Sequence, residues 1–204
     1  MERRSSADVH ITIWTIGHSI RPLEVFLALL ASQRIEAVAD VRRFAGSRRH
    51  PQYGAAALGR TLAENGIAYR PLPALGGRRR ALPDSPNVAW RNESFRGYAD
   101  HMATSEFAAG LQELVDLSHR HRTALMCAEA LWWRCHRALI ADALKARGDE
   151  VIHILDMKHT VVHPYTAPAR IVEGRLTYAS AQEALGLDSP PAPAAGGRNA
   201  AGST

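Results

Sequence analysis

The sequence predicts an α/β domain: a mainly parallel sheet with helices on both faces, a Rossmann-like three-layer arrangement, plus a C-terminal hairpin. Two patterns point to it. Short β-favouring runs alternate with longer amphipathic stretches, as strands joined by crossover helices do. Near the C-terminus, two more β-favouring runs flank Glu173-Gly174, which reads as a hairpin turn. At 204 residues the chain suits one domain with a substantial core.

The elements follow in order. His10–Gly17 alternates polar and β-favouring residues and reads as a first strand, ended by Gly17-His18-Ser19. Pro22 opens a helix through about Gln33, since its fixed φ suits the first turn. Glu36–Val41 is a second strand. Gly54–Glu64 is helical, with Asn65-Gly66 as its stop signal, and Ile67–Leu72 is a third strand. Pro73–Glu93 is a long loop. Phe95 to about His121 is helical with a break near Thr104, whose hydroxyl can cap the second half. A strand ends at Cys127, a helix runs to Arg147, and Glu150–Leu155 is the next strand. Arg170–Tyr178 is the hairpin. Residues 1–9 and the Pro/Ala/Gly-rich tail, 188–204, have no means of building a core and are expected to be disordered, leaving 10–187 as the folded unit.

Composition narrows the setting. Two cysteines give no disulfide framework and fit a reducing compartment. No apolar segment approaches the roughly 20 residues of a membrane span, and the charged N-terminus has no apolar run behind it. A soluble, cytoplasmic protein with no membrane association is expected. The formal charge is +5, and only Lys145 and Lys158 are lysine. Arginine is concentrated in residues 42–96, where the acids are Glu64, Asp84 and Glu93. Its planar donor fork suits phosphate and carboxylate, so an anionic small molecule or nucleic acid is the expected partner. The plainer account is arginine used as a generic surface cation.

The densest chemistry lies in Cys127-Ala-Glu129-Ala-Leu-Trp-Trp133-Arg-Cys135-His136-Arg137, at a strand-to-helix junction. In an open α/β sheet, ligands bind at the carboxyl ends of strands. The same edge receives His18-Ser19 and Asp40-Val-Arg42. Cys127, facing a helix N-terminus, is the expected reactive thiol. Cys135 and His136 continue the apolar stripe of the following helix, so Cys135 also reads as a small buried hydrophobe and His136 as a satisfied core histidine. Glu129 and Asp40 are candidates for proton transfer, or else for capping and ion pairing. Trp132 and Trp133 divide between core and a stacking platform. No metal is expected, because adjacent helical residues diverge by about 100° and paired zinc-ligand spacing is missing.

Thr15-Ile-Gly-His-Ser19, Asp40-Val-Arg42, Leu75-Gly-Gly77 and Cys127-x-Glu129…Cys135-His-Arg137 together resemble the bacterial and archaeal family called domain of unknown function 488. The likeness runs from about Ile11 to Tyr178 and takes in Phe95-Arg-Gly-Tyr-Ala-Asp100 and His163–Arg170. It implies an α/β domain and supplies no activity or cofactor. By motif it marks His18, Asp40, Arg42, Cys127, Glu129, Cys135, His136 and Arg137 as the site.

The resulting expectation is an enzyme acting on a phosphate-bearing substrate, a nucleotide or nucleic-acid component. Cys127, Glu129, His18, Asp40 and His136 would carry the chemistry, and Arg42, Arg137, Ser19 and Trp133 would hold the substrate. The rivals are a non-catalytic nucleic-acid-binding module built on residues 42–96, and a metal or redox protein built on Cys127 and Cys135.

Overall fold

A computed structural model describes residues 10–46 and 49–180. The segments expected to be disordered, 1–9 and 188–204, lie outside these. The strands are β1 (Thr12–Gly17), β2 (Ala37–Asp40), β3 (Ala68–Pro71), β4 (Thr123–Cys127), β5 (Glu150–Ile154) and β6 (Thr160–Val162). They form one six-stranded sheet in the order β3-β2-β4-β1-β5-β6, parallel except for β6. Helices α1 (Leu23–Ser32) and α2 (Ala55–Glu64) cover one face. Helices α3 (Glu93–Met102), α4 (Ser105–Arg120) and α5 (Arg137–Ala146) cover the other. β7 (Arg170–Val172) and β8 (Arg175–Thr177) form the separate hairpin.

Local chemistry explains the boundaries. Pro22 caps α1 with φ −55°, and at the end of α2 Gly66 turns left-handed with φ 72°. The break between α3 and α4 falls at Thr104, whose hydroxyl accepts from the Phe107 amide at 3.2 Å. In the hairpin, Glu173 and Gly174 both adopt positive φ (48° and 75°), the geometry that matches a two-residue turn to strand twist. Strand β6 has no counterpart in the sequence reading. Three residues carry no readable period; the pairing follows from the turn before it, where Asp156 Oδ1 accepts from the Lys158 and His159 amides at 2.8 and 2.9 Å.

The central strands are buried from end to end: Ala37–Asp40 and Thr123–Cys127 are covered on both faces. Neighbouring β1 and β4 leave the sheet in opposite directions, β1 through α1 to β2 and β4 through α5 to β5. Their carboxyl ends therefore bound a crevice, the place where this architecture receives ligands. Register puts Gly17 beside Cys127 and Asp40 beside Met126.

A buried polar chain joins the sheet to the hairpin. The Thr15 hydroxyl lies 2.7 Å from His153 Nδ1, His153 Nε2 lies 2.9 Å from His163 Nδ1, and His163 Nε2 lies 2.9 Å from Asp142 Oδ1. Asp142 also accepts from the Thr166 amide and hydroxyl and from the Tyr178 hydroxyl. Trp132 stacks on His153 at 4.2 Å and 4°. Burial pushes His153 down to about 2, with His163 and Arg137 acting in the same direction. The folded ring therefore stays neutral while the unfolded one takes up a proton below about 6.5. Stability tied to His153 is fully present above that value and is lost as pH falls from 6.5 toward 2. His153→Gln is expected to reduce the loss of stability between about pH 6.5 and about pH 4.5. Urea midpoints at both pH values check this, and an unchanged pH slope would contradict it.

Candidate functional site

Asp40 ends β2 fully buried and organises the first half of the crevice. Its carboxylate accepts from Arg42 Nε (2.8 Å) and Nη2 (2.5 Å), from the Arg42 amide (3.0 Å), and from the Tyr69 hydroxyl (2.6 Å). Arg42 Nη1 also donates to the Tyr53 carbonyl at 2.8 Å and lies 3.3 Å from His18 Nε2. His18 stacks on the Tyr53 ring at 4.1 Å, and its Nδ1 lies 2.9 Å from the Ser19 carbonyl. Burial, aided by the Arg42 charge, lowers His18 to about 4. These side chains satisfy one another. Asp40, Arg42 and His18 form a rigid floor, with Arg42 held as a strut.

The second half is built by the chain after β4. Residues 128–130 pass directly over Gly17; a Cβ there would collide with the Glu129 carbonyl. The Ser19 amide donates to the Ala128 carbonyl at 2.8 Å, and the His18 amide to the Cys127 carbonyl at 3.0 Å. A 3-10 turn, Trp132–Arg134, follows, and Cys135 is extended (φ −127°, ψ 147°). Helix α5 begins only at Arg137, with His136 as its cap. Cys135 thus leaves the expected helical stripe while His136 (φ −56°, ψ −14°) keeps helical geometry at its start, so the two do not diverge as neighbours within a helix would. Cys127 Sγ, Cys135 Sγ and a His136 ring nitrogen all lie within 4.8 Å of one another.

Electrostatics separates the two thiols. Cys135 is held well below the usual thiol range by the hydrogen bond from Cys127, with His136 and Arg137 adding to the effect against burial. Cys127 is pushed well above it, because it donates to Cys135 and is buried. Arg137 supplies the cation. At 1% exposure it donates to the Glu129 carbonyl, to Cys135 Sγ at 3.5 Å and to Thr15 Oγ1 at 3.5 Å. No carboxylate among the described residues pairs with it.

Both halves open on one cleft of about 500 Å³. Cys127, Cys135 and His136 lie in it beside Glu129, with Phe44, Phe95 and Tyr98 as aromatic wall and Arg43, Arg78 and Arg134 as cations. Of the residues expected at the site, Cys127, Glu129, Cys135, His136 and Arg42 line this cleft. His18 and Asp40 stand behind Arg42, and Arg137 lies beneath Cys135, each outside the lining. Ser19 and Trp133 are also outside it, with Trp133 49% exposed elsewhere. Arg43 and Phe44 were not singled out in the sequence, and of the Thr15–His153–His163–Asp142 chain only Thr15 and His163 fall in the resembling motifs, with nothing to link them to His153 or Asp142. Gly77 did carry one, in the Leu75-Gly-Gly77 motif: a Cβ there would sit 2.8 Å from His136 Nδ1.

The arginine-rich stretch is partly spent inside the fold. Arg42 pairs with Asp40, Arg79 with Glu106 at 3.0 Å, and Arg96 donates to the Trp90 carbonyl. A family model described as domain of unknown function DUF488 matches residues 22–144, more than half of the chain. The chain belongs to that family. The matched span takes in the Asp40–Arg42 and Cys127–Arg137 motifs, while Thr15–Ser19 and the hairpin lie outside it. No curated protein matches the chain, and no solved structure does. Among the described residues no helix is long and apolar enough to cross a membrane.

Two substitutions test this geometry. Gly17→Ala forces a methyl into backbone that has no room to yield, so a loss of about 3 kcal/mol is expected by urea unfolding. A cost below about 0.5 kcal/mol would show that the loop over Gly17 is loose. Arg42→Met leaves Asp40, 1% exposed, without its cation, and about 3–5 kcal/mol should be lost. A change under about 1 kcal/mol would mean that Asp40 finds compensation from water.

Proposed function

We propose that this protein is an enzyme acting on a phosphate-bearing small molecule, a nucleotide or nucleic-acid component, in the cleft at the carboxyl ends of β1, β2 and β4. One observation carries the reading: Arg43, Arg78 and Arg134 share a cleft with Cys127, Cys135 and His136. Cations beside an aromatic wall suit a phosphate attached to a planar ring. The sulfur and imidazole groups below them form the reactive centre, and Glu129, exposed in the same cleft, is placed to move a proton. Arg42, on the cleft wall, and Arg137, beneath Cys135, have donors committed within the fold and serve chiefly to position the centre. A small anionic ligand is favoured over a nucleic-acid surface because Arg42, Arg79 and Arg96 are taken up internally.

Equilibrium binding of a fluorescent nucleoside monophosphate tests this. Arg43→Glu combined with Arg78→Glu should weaken it at least about tenfold. Arg60→Glu, on α2 and outside the cleft, should leave it unchanged. Equal loss in both variants would point to unspecific charge attraction. Duplex binding with a steep salt slope, near −0.9 per phosphate neutralised, that a mononucleotide does not displace would favour the nucleic-acid module instead.

A further inference from the structure

We propose that Cys127 Sγ, Cys135 Sγ and His136 Nδ1 form a tetrahedral Zn²⁺ site whose fourth position opens to the cleft. The inference deepens the reading of the cleft as a reaction site by naming the cofactor class at its floor. The first support is spacing. With Zn–S near 2.3 Å and Zn–N near 2.0–2.1 Å, a tetrahedral ion separates a sulfur and a nitrogen ligand by about 3.6 Å, and two sulfurs by about 3.8 Å. Cys135 Sγ and His136 Nδ1 stand 3.6 Å apart, and the ligand atoms of all three residues lie within 4.8 Å of one another. Little movement is needed to admit an ion.

The second support is the surrounding shell. A ligating imidazole is generally oriented by a hydrogen bond from its other nitrogen to a carbonyl or carboxylate. His136 Nε2 lies 3.1 Å from the Val41 carbonyl, which turns Nδ1 toward the sulfurs. Arg137 Nε donates to Cys135 Sγ at 3.5 Å, the kind of contact that steadies a metal-bound thiolate. Space is kept as well: only glycine fits at position 77, because a Cβ would come within 2.8 Å of His136 Nδ1.

The third support is charge. Arg137 is buried without a carboxylate partner among the described residues, so a second uncompensated cation beside it would be costly. Two thiolates cancel the charge of a divalent ion, so a metal bound by both cysteines adds no net positive charge next to the guanidinium. Cys127 is 8% and Cys135 5% exposed, so the sulfurs are shielded from bulk oxidants yet border the cleft. Two sulfurs and one imidazole within 4.8 Å of one another suit Zn²⁺ over the hard cations. Three protein ligands with one open position is the pattern of catalytic rather than structural zinc.

The test uses the full chain, purified without chelator and without a metal-affinity tag. Elemental analysis should find about one zinc per chain. After chelation under reducing conditions, Co²⁺ alone should restore a tetrahedral spectrum with sulfur-to-cobalt charge transfer. Cys127→Ser, Cys135→Ser and His136→Ala should each lose the metal. Should these variants fail to fold, the wild-type cobalt spectrum decides, together with protection of both cysteines from iodoacetamide by added Zn²⁺. Zinc below about a tenth of an equivalent with no charge-transfer band in reduced protein would overturn the site. So would zinc retained in folded Cys127→Ser/Cys135→Ser. Zinc bound, but nucleotide binding indifferent to Arg43→Glu/Arg78→Glu, would sink the cleft reading and leave the metal site standing. Arginine-dependent nucleotide binding without zinc would do the reverse.

Discussion

The Arg137 guanidinium is the contact on which the candidate site depends. From the first turn of α5 it reaches the Glu129 carbonyl, Thr15 on β1 and the Cys135 sulfur at once. It thus fixes the chain after β4 to its neighbour strand and presents a positive charge to the thiol pair. Burying a guanidinium is costly unless its hydrogen bonds are met and its charge is answered. Here carbonyls meet the bonds and sulfur answers the charge. That requirement explains why the segment from Cys127 to Cys135 folds back over Gly17 instead of running straight into the helix.

The opposite wall obeys a similar logic with a different pair. Asp40 and Arg42 compensate each other inside the sheet edge, and Tyr53, Tyr69 and His18 use up their remaining donors and acceptors. Such a saturated network is stiff, because moving one member leaves another buried and unpaired. Val41 connects the two walls: its amide donates to the Met126 carbonyl, and its carbonyl faces His136 Nε2 at 3.1 Å. Two rigid buried clusters therefore flank the cleft, and the groups they present to it are the sulfurs, the His136 ring, Glu129 and the rim arginines. Polar groups presented on a stiff frame are what a binding or catalytic site needs.

Much of the architecture was legible in the chain, for reasons that can be named. Period and punctuation placed β1, β2, β4 and β5 because buried parallel strands are short apolar runs closed by turn residues. Thr104 and Glu173-Gly174 were readable because capping and left-handed turns are local chemistry. Strand β6 was not, since three exposed residues have no period of their own. Cys135 was read into a helix because its neighbours have helical spacing, whereas Arg137 and the crossing over Gly17 hold it extended.

By itself, then, the sequence determined the order of elements, the layering, and the set of reactive residue types delivered to one edge of the sheet. These are short-range matters of propensity, patterning and strand ends. Tertiary structure alone decided which of those residues face the cleft and which support it. Arg42 and Arg137 both read as substrate-binding cations, yet partners distant in sequence, Tyr53, His18, Thr15 and the carbonyls of the 129–130 loop, claim their donors. The pairing of Cys135 with Cys127, and the chain from Thr15 through His153 and His163 to Asp142, likewise join residues that share no local pattern. Charge compensation in a buried interior is a long-range requirement, and it is settled only when the strands and helices meet.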